Sequence, residues 1–284
     1  MPERRVIRSC PIWMIVTVCW MSNPYAQNAF RARFDWGPLG AEVLAGTSGV
    51  VAVVDVLSFT TALTVAVDKG IEVFPFRWRD ERAERFAQER DAVLAVGRSV
   101  ARPGQISLSV ATIRAADPVA RLVLPSPNGS TIANDIANDI AHDIANDIAA
   151  TGTTLIGVSL RNIGAAADWT MRCLAATPDA AVSAIAAGER WADGSLRPAV
   201  EDLWGAGAYL AALDDRGFGP LSPEALSSAA AFRAVAADLP ARLRASASGQ
   251  ELITWHHAED VEIAAEVDTS TAVPVLRGEC FTAA

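Results

Sequence analysis

The chain reads as an α/β protein with a mixed, largely parallel sheet and flanking helices. Two features point there. Residues 49–54 form an unbroken Gly-Val-Val-Ala-Val-Val run, the pattern of a strand buried on both faces. Similar short apolar runs recur down the chain, each followed by a polar cluster and then a stretch of helical composition. Hydrophobic residues make up 51% of the 284, enough to core one compact unit, with two lobes an open option, and to exclude disorder.

In chain order, the first strand, 49–54, ends in Asp55, and a helix follows over Thr60–Lys69 with Gly70 as its C-cap. Residues 71–76 read as a strand, 79–89 as a charged helix and 92–96 as a strand, with a small-residue loop over 97–109. A short strand at 121–124 leads into Pro125-Ser126-Pro127-Asn128-Gly129-Ser130 and a helix. Residues 154–158 are a strand, then Ser159-Leu160-Arg161-Asn162 opens a helix reaching Cys173. A strand over 180–186 precedes Gly188-Glu189, and a helix over 200–213 carries Glu201 and Asp202 in its first turn. Residues 222–249 suggest surface helices and a loop, and 272–276 a final strand or an ordered tail.

Residues 134–149 repeat the tetrad Asn/His-Asp-Ile-Ala four times. A period of four lies near the helical 3.6, so Ile136, Ile140, Ile144 and Ile148 form one stripe and the four Asp residues another. Carboxylates spaced along one straight helix do not converge on an ion, so this segment reads as a duplicated helix extension rather than a metal site, His142 included.

The first twenty residues stand apart. Arg4, Arg5 and Arg8 precede an apolar run from Pro11 to Met21, which resembles a signal peptide but is too short to span a membrane. The cleavage site is poor, and Ser22–Gly37 already reads as the opening of a domain. Residues 1–20 are therefore expected to be a mis-assigned extension before Met21, export is the less favoured reading, and residues 21–284 form the functional domain in the cytoplasm.

Several classes are excluded by bulk properties. A net charge of −9 leaves no basic footprint for nucleic acid. The four cysteines form no CxxC pair, which argues against zinc and against a disulfide framework.

The chemistry is expected where strands meet helices. Four polar clusters follow apolar strands: Asp55 with Ser58, Thr60 and Thr61; Ser126 with Asn128, Gly129 and Ser130; Ser159 with Arg161 and Asn162; and Glu189 with Glu201 and Asp202. Strand carboxyl ends share one edge in an open α/β sheet, so the four are expected to meet there. Helix N-termini, hydroxyls and amides suit a phosphate, and an arginine binds two of its oxygens at once. Carboxylates suit Mg²⁺. Each piece has a plainer reading: Asp55 as an N-cap, Pro-Asn-Gly-Ser as a turn, Glu201-Asp202 as dipole complements, Arg161 as a surface residue.

The chain resembles the 2-phosphosulfolactate phosphatases, a family linked to coenzyme M biosynthesis. The likeness rests on Val53-Val54-Asp55-Val56-Leu57 with Thr60-Thr61, on Ser126-Pro127-Asn128-Gly129-Ser130 and on Ser159-Leu160-Arg161-Asn162. It continues through Ala187-Gly188-Glu189, Glu201-Asp202 with Gly205-Ala206-Gly207, and Val273-Pro274-Val275-Leu276. The resemblance implies an α/β fold and Mg²⁺-dependent hydrolysis of the phosphate ester of 3-sulfolactate. Asp55, Glu189, Glu201 and Asp202 are the expected catalytic carboxylates, with Asp55, Glu201 and Asp202 on the metal. Ser58, Thr60, Thr61, Ser126, Asn128, Gly129, Ser130, Arg161 and Asn162 are expected to hold substrate. The expected partner is a small anionic phosphoester, with no nucleic acid or membrane, and a homodimer is an open option. The family often has arginine after Asp-Val-Leu where this chain has Ser58, so Arg161, Arg31 or Arg33 is looked to for the missing charge. A non-catalytic module that binds a phosphorylated metabolite is the alternative.

Overall fold

The computed structural model describes residues 23–76, 81–125 and 153–284. The Ser126–Ser130 loop, the tetrad repeat and the N-terminal extension lie outside the described residues. Among the described residues no helix is long and apolar enough to cross a membrane.

The strands are β1 (Ala32–Trp36), β2 (Val50–Val54), β3 (Glu72–Phe76), β4 (Val93–Leu94), β5 (Arg121–Pro125), β6 (Thr154–Val158), β7 (Val182–Ala186), β8 (Glu189–Arg190), β9 (Leu196–Arg197), β10 (Pro274–Arg277) and β11 (Cys280–Ala283). The helices are α1 (Gly37–Ala45), α2 (Phe59–Asp68), α3 (Glu81–Glu89), α4 (Val110–Ala115), α5 (Ile163–Cys173), α6 (Val200–Asp215), α7 (Pro223–Val235), α8 (Leu239–Ala245), α9 (Ala247–Thr254) and α10 (Ala258–Ala264).

Among the described residues nine strands form one mixed sheet in the order β1-β7-β2-β6-β10-β11-β3-β5-β4. β2 lies at the heart of one parallel block, pairing with β7 on one side and β6 on the other. Its valines are all buried, and they alternate between two cores. Val50, Ala52 and Val54 face α5, α6 and α7, while Val51 and Val53 face α1, α2 and α4. That two-sided burial is why the run lacks polar alternation.

The C-terminal hairpin supplies the middle of the sheet. β10 runs antiparallel to β6, β11 antiparallel to β10, and β3 antiparallel to β11. Three reversals set β3, β5 and β4 opposite in sense to the block holding β2. The premise of a shared strand direction therefore does not hold for β5, whose polar cluster, Ser126–Ser130, lies outside the described residues. The segment at 272–276, expected as a strand or a tail, is a central strand. Phe281 of β11 is fully buried and meets Phe59 of α2 edge-on, with ring centroids 6.4 Å apart.

Glycines let α6 pack closely. A Cβ on Gly205 would lie 2.6 Å from Val56 Cγ2, and one on Gly207 would lie 2.1 Å from the Ser228 carbonyl of α7. Of the cysteines among the described residues, Cys173 and Cys280 are free thiols.

Candidate active site

β2 delivers Asp55 to the start of α2. Its Oδ1 accepts from the Phe59 amide at 3.2 Å, satisfying one of the unpaired N–H groups of the helix start. The plain capping role is thus present, yet Asp55 also lines a cavity of about 250 Å³. Thr60 Oγ1 donates to the Asp55 carbonyl at 2.8 Å and accepts from its amide at 3.1 Å. Thr61 Oγ1 donates to the Val56 carbonyl at 2.8 Å. Both threonines are fully buried, and both hydroxyls serve the backbone of the turn.

β7 delivers the second wall. Gly188 takes φ +67°, and a Cβ there would sit 2.8 Å from Leu196 Cδ1 and 3.0 Å from the Arg197 carbonyl. The chain then turns into the β8–β9 hairpin, whose first residue, Glu189, lines the same cavity.

Asp202 binds these two walls together from α6. Its Oδ1 accepts from the Val56 amide at 2.7 Å, and its Oδ2 accepts from the Gly188 amide at 2.9 Å. Burial, and next the neighbouring charges of Asp55 and Glu201, push its pKa well up, while the Val56 amide pulls it back. Glu189 adds a smaller upward push. Glu201 is buried beside it. Both oxygens of Asp202 serve backbone amides and it does not line the cavity, so it clasps the two walls together behind the site.

Two charged cavity residues went unread in the sequence. Arg98 lines it, with Nη2 donating to Ser58 Oγ at 2.7 Å and Nε to Asp260 Oδ2 at 3.1 Å. Glu251 of α9 lines it too. Arg98 had a signal: β4 followed by Gly97-Arg98 repeats the strand-then-polar pattern of the other clusters. Glu251 had none, since it follows the 222–249 stretch read as surface helices and a loop and sits at no strand end. The cavity is flanked by Leu57, Leu108, Leu252 and Trp255, and also by Leu124, the penultimate residue of β5.

Arg161 and Asn162 lie elsewhere. Arg161 is buried and ion-paired to Glu266 and, at 3.5 Å, to Asp68. Asn162 Oδ1 accepts from the Ser159 amide at 2.9 Å, and its Nδ2 donates to Gly157 and Ala272 carbonyls. This cluster ties the segment before β10 into the sheet instead of meeting Asp55. Arg31 stacks over Phe218, and Arg33 binds the Phe30 carbonyl and Thr47. Of the arginines among the described residues, the one that lines the cavity is Arg98. Ser126, Asn128, Gly129 and Ser130 lie outside the described residues.

The expected three-carboxylate metal set is not gathered. Among the described residues no group of three or more His, Cys, Asp or Glu side chains is arranged to hold an ion. A Mg²⁺ ion needs less, because it commonly uses one or two carboxylates and takes its other ligands from water and phosphate. Asp55 and Glu189 at one cavity, with Glu201 and Asp202 behind, concentrate negative charge and hard oxygen donors in a way that fits such an ion.

A sheet that brings carboxylates and a guanidinium into one small cavity defines an α/β protein with a charged site for a small polar ligand. The comparisons make this specific. The family model described as 2-phosphosulpholactate phosphatase matches residues 41–279, and the chain belongs to that family. It is a phosphoric monoester hydrolase acting on a small phosphoester. No curated protein matches the chain.

Proposed function

We propose that the chain hydrolyses 2-phospho-3-sulfolactate to 3-sulfolactate and phosphate in a Mg²⁺-dependent reaction. The observation that carries this is the meeting of Asp55 and Glu189 at one cavity under the clasp of Asp202. Asp55 would hold the metal, which when bound neutralises phosphate charge and acidifies a water. Glu189, across the cavity, is the base that takes the proton of the attacking water. Leu57, Leu108 and Leu252 form an apolar flank beside these charged groups. Ser126, Asn128, Gly129 and Ser130 are the proposed phosphate donors on the strength of the sequence resemblance. Cytoplasmic coenzyme M biosynthesis is the proposed setting, with the same support.

The test is phosphate release from a panel of 2-phospho-3-sulfolactate, phospholactate, phosphoglycolate and an aryl phosphate. The expected result is turnover of the phosphorylated hydroxy acids that EDTA abolishes and Mg²⁺ restores. Turnover untouched by EDTA, or none in the panel, contradicts the proposal.

A further inference from the structure

Arg98 is held in place more firmly than a cavity-wall side chain needs to be. Asp260, only 1% exposed, accepts from Arg98 Nε at 3.1 Å and is itself fixed by Ser109 Oγ at 2.6 Å and the Ala111 amide at 3.1 Å. Ser58 Oγ accepts from Nη2 at 2.7 Å. A guanidinium carries five N–H donors in a fixed fork, and these contacts occupy one edge of it. Nη1 makes no hydrogen bond to a described residue, and the Arg98 side chain keeps 20% exposure. What remains is a pre-oriented pair of donors on a residue that lines a cavity otherwise supplied with carboxylates.

We propose that the Nη1–Nη2 edge of Arg98 is the subsite for the substrate's second acid group, a carboxylate or sulfonate, and not for its phosphoryl group. This rests on the phosphatase reading for the identity of the substrate. Asp55, Glu189 and Glu251 repel any acid group that arrives without a cation. The phosphoryl group has the metal proposed at Asp55. A hydroxy-acid body has no such partner, and a planar fork matches a carboxylate or sulfonate with two parallel hydrogen bonds. Ser58, three residues beyond Asp55, sets Arg98 at the helix end of the turn, away from its strand end. Asp260 balances the arginine's charge, so Arg98 contributes aimed donors more than long-range attraction.

The test is titration calorimetry of the full chain with Mg²⁺ present, using 3-sulfolactate, lactate and inorganic phosphate as separate probes. Wild type is compared with Arg98→Gln and Arg98→Lys. A charge-assisted hydrogen bond is worth ~1.5–3 kcal/mol, so Arg98→Gln is expected to weaken 3-sulfolactate by roughly 10- to 100-fold. Phosphate affinity should change by less than about 3-fold, well under a tenfold step, because the metal proposed at Asp55 rather than Arg98 meets it. Arg98→Lys, which keeps the charge beside buried Asp260, should fold like wild type and fall between. A parallel loss for lactate assigns the carboxylate to Arg98, and a loss confined to 3-sulfolactate assigns the sulfonate. Equal losses for 3-sulfolactate and phosphate, unchanged 3-sulfolactate affinity in both variants, or no 3-sulfolactate binding by wild type overturns the subsite. Binding is read without turnover, so a wild type that binds 3-sulfolactate but hydrolyses nothing refutes the phosphatase reaction and leaves the subsite standing.

Discussion

Replacing Asp202 tests whether it clasps the site or binds metal. Asp202→Ala leaves the Val56 and Gly188 amides without their acceptor in a buried place. Each orphaned buried donor costs ~1–3 kcal/mol, so two cost ~2–6 kcal/mol. Removing a buried carboxylate beside Asp55 and Glu201 offsets part of this, because burial and like charge disfavour its ionised form. The net loss is expected in the lower half of that range, ~2–4 kcal/mol by the same per-donor figure. Asp202→Asn keeps one acceptor and turns an N–H₂ group toward the other amide, so it should lose ~1–3 kcal/mol. Both variants release the turns carrying Asp55 and Glu189, and a displacement near 1 Å costs on the order of 10²-fold in rate. The assay is urea unfolding, followed by kcat on an aryl phosphate and Mg²⁺ affinity by calorimetry. Both variants should lose stability, Ala more than Asn, with rate falling in the same order. Unchanged stability together with abolished Mg²⁺ binding would refute the clasp and make Asp202 a metal ligand.

Other predictions follow from the same geometry. Gly207→Ala drives a Cβ to within 2.1 Å of the Ser228 carbonyl; it should lower stability by ~3 kcal/mol, the upper end of ordinary overpacking, and a urea midpoint within error of wild type would contradict the close α6–α7 approach. Asp35 is half-buried, and burial raises its pKa. A carboxyl with a raised folded pKa costs stability above that pKa, and the cost vanishes at pH below its unfolded value. Asp35→Asn should therefore melt higher than wild type at neutral pH and lose that advantage in acid; an equal gain at every pH would show that charge is not the cause. Excising two of the tetrads from 134–149 should leave kcat/KM within about 2-fold if the repeat is only a duplicated extension, and loss of metal dependence would show that the repeat belongs to the site.

Much of the scaffold is legible because burial leaves a simple mark. The run Val50–Val54 is apolar on both faces and reads at once as a central strand, and α2, α5 and α6 follow from composition and spacing. β1 is harder to see, because Ala32-Arg33-Phe34-Asp35-Trp36 alternates apolar and charged residues, and Arg33 buries its head against the Phe30 carbonyl and Thr47. Apolar periodicity carries no strand direction, so nothing in the chain reveals that β10 and β11 reverse the sheet. At the site, Asp55 and Glu189 are found by the rule that acids at strand ends face ligands. Which carboxylate faces the cavity and which faces backbone amides depends on how α6 is rotated, and Glu201-Asp202 reads the same either way. Arg161 and Arg98 look alike in sequence, and only their carboxylate partners, Glu266 and Asp68 against Asp260, separate a structural pair from a cavity wall.

The central claim is that Asp55 makes this cavity a metal-dependent phosphatase centre. Steady-state phosphate release from 2-phospho-3-sulfolactate by wild type and Asp55→Asn, each with Mg²⁺ and with EDTA, tests it most directly. Asparagine keeps the oxygen that accepts from the Phe59 amide, so the fold should be retained and the melting temperature nearly unchanged. The account predicts Mg²⁺-dependent turnover in wild type and a loss of at least about 10³-fold in kcat for Asp55→Asn, comparable to removing a principal electrostatic stabiliser. A folded Asp55→Asn variant that turns over within about 10-fold of wild type, short of the effect of even one such group, would contradict it.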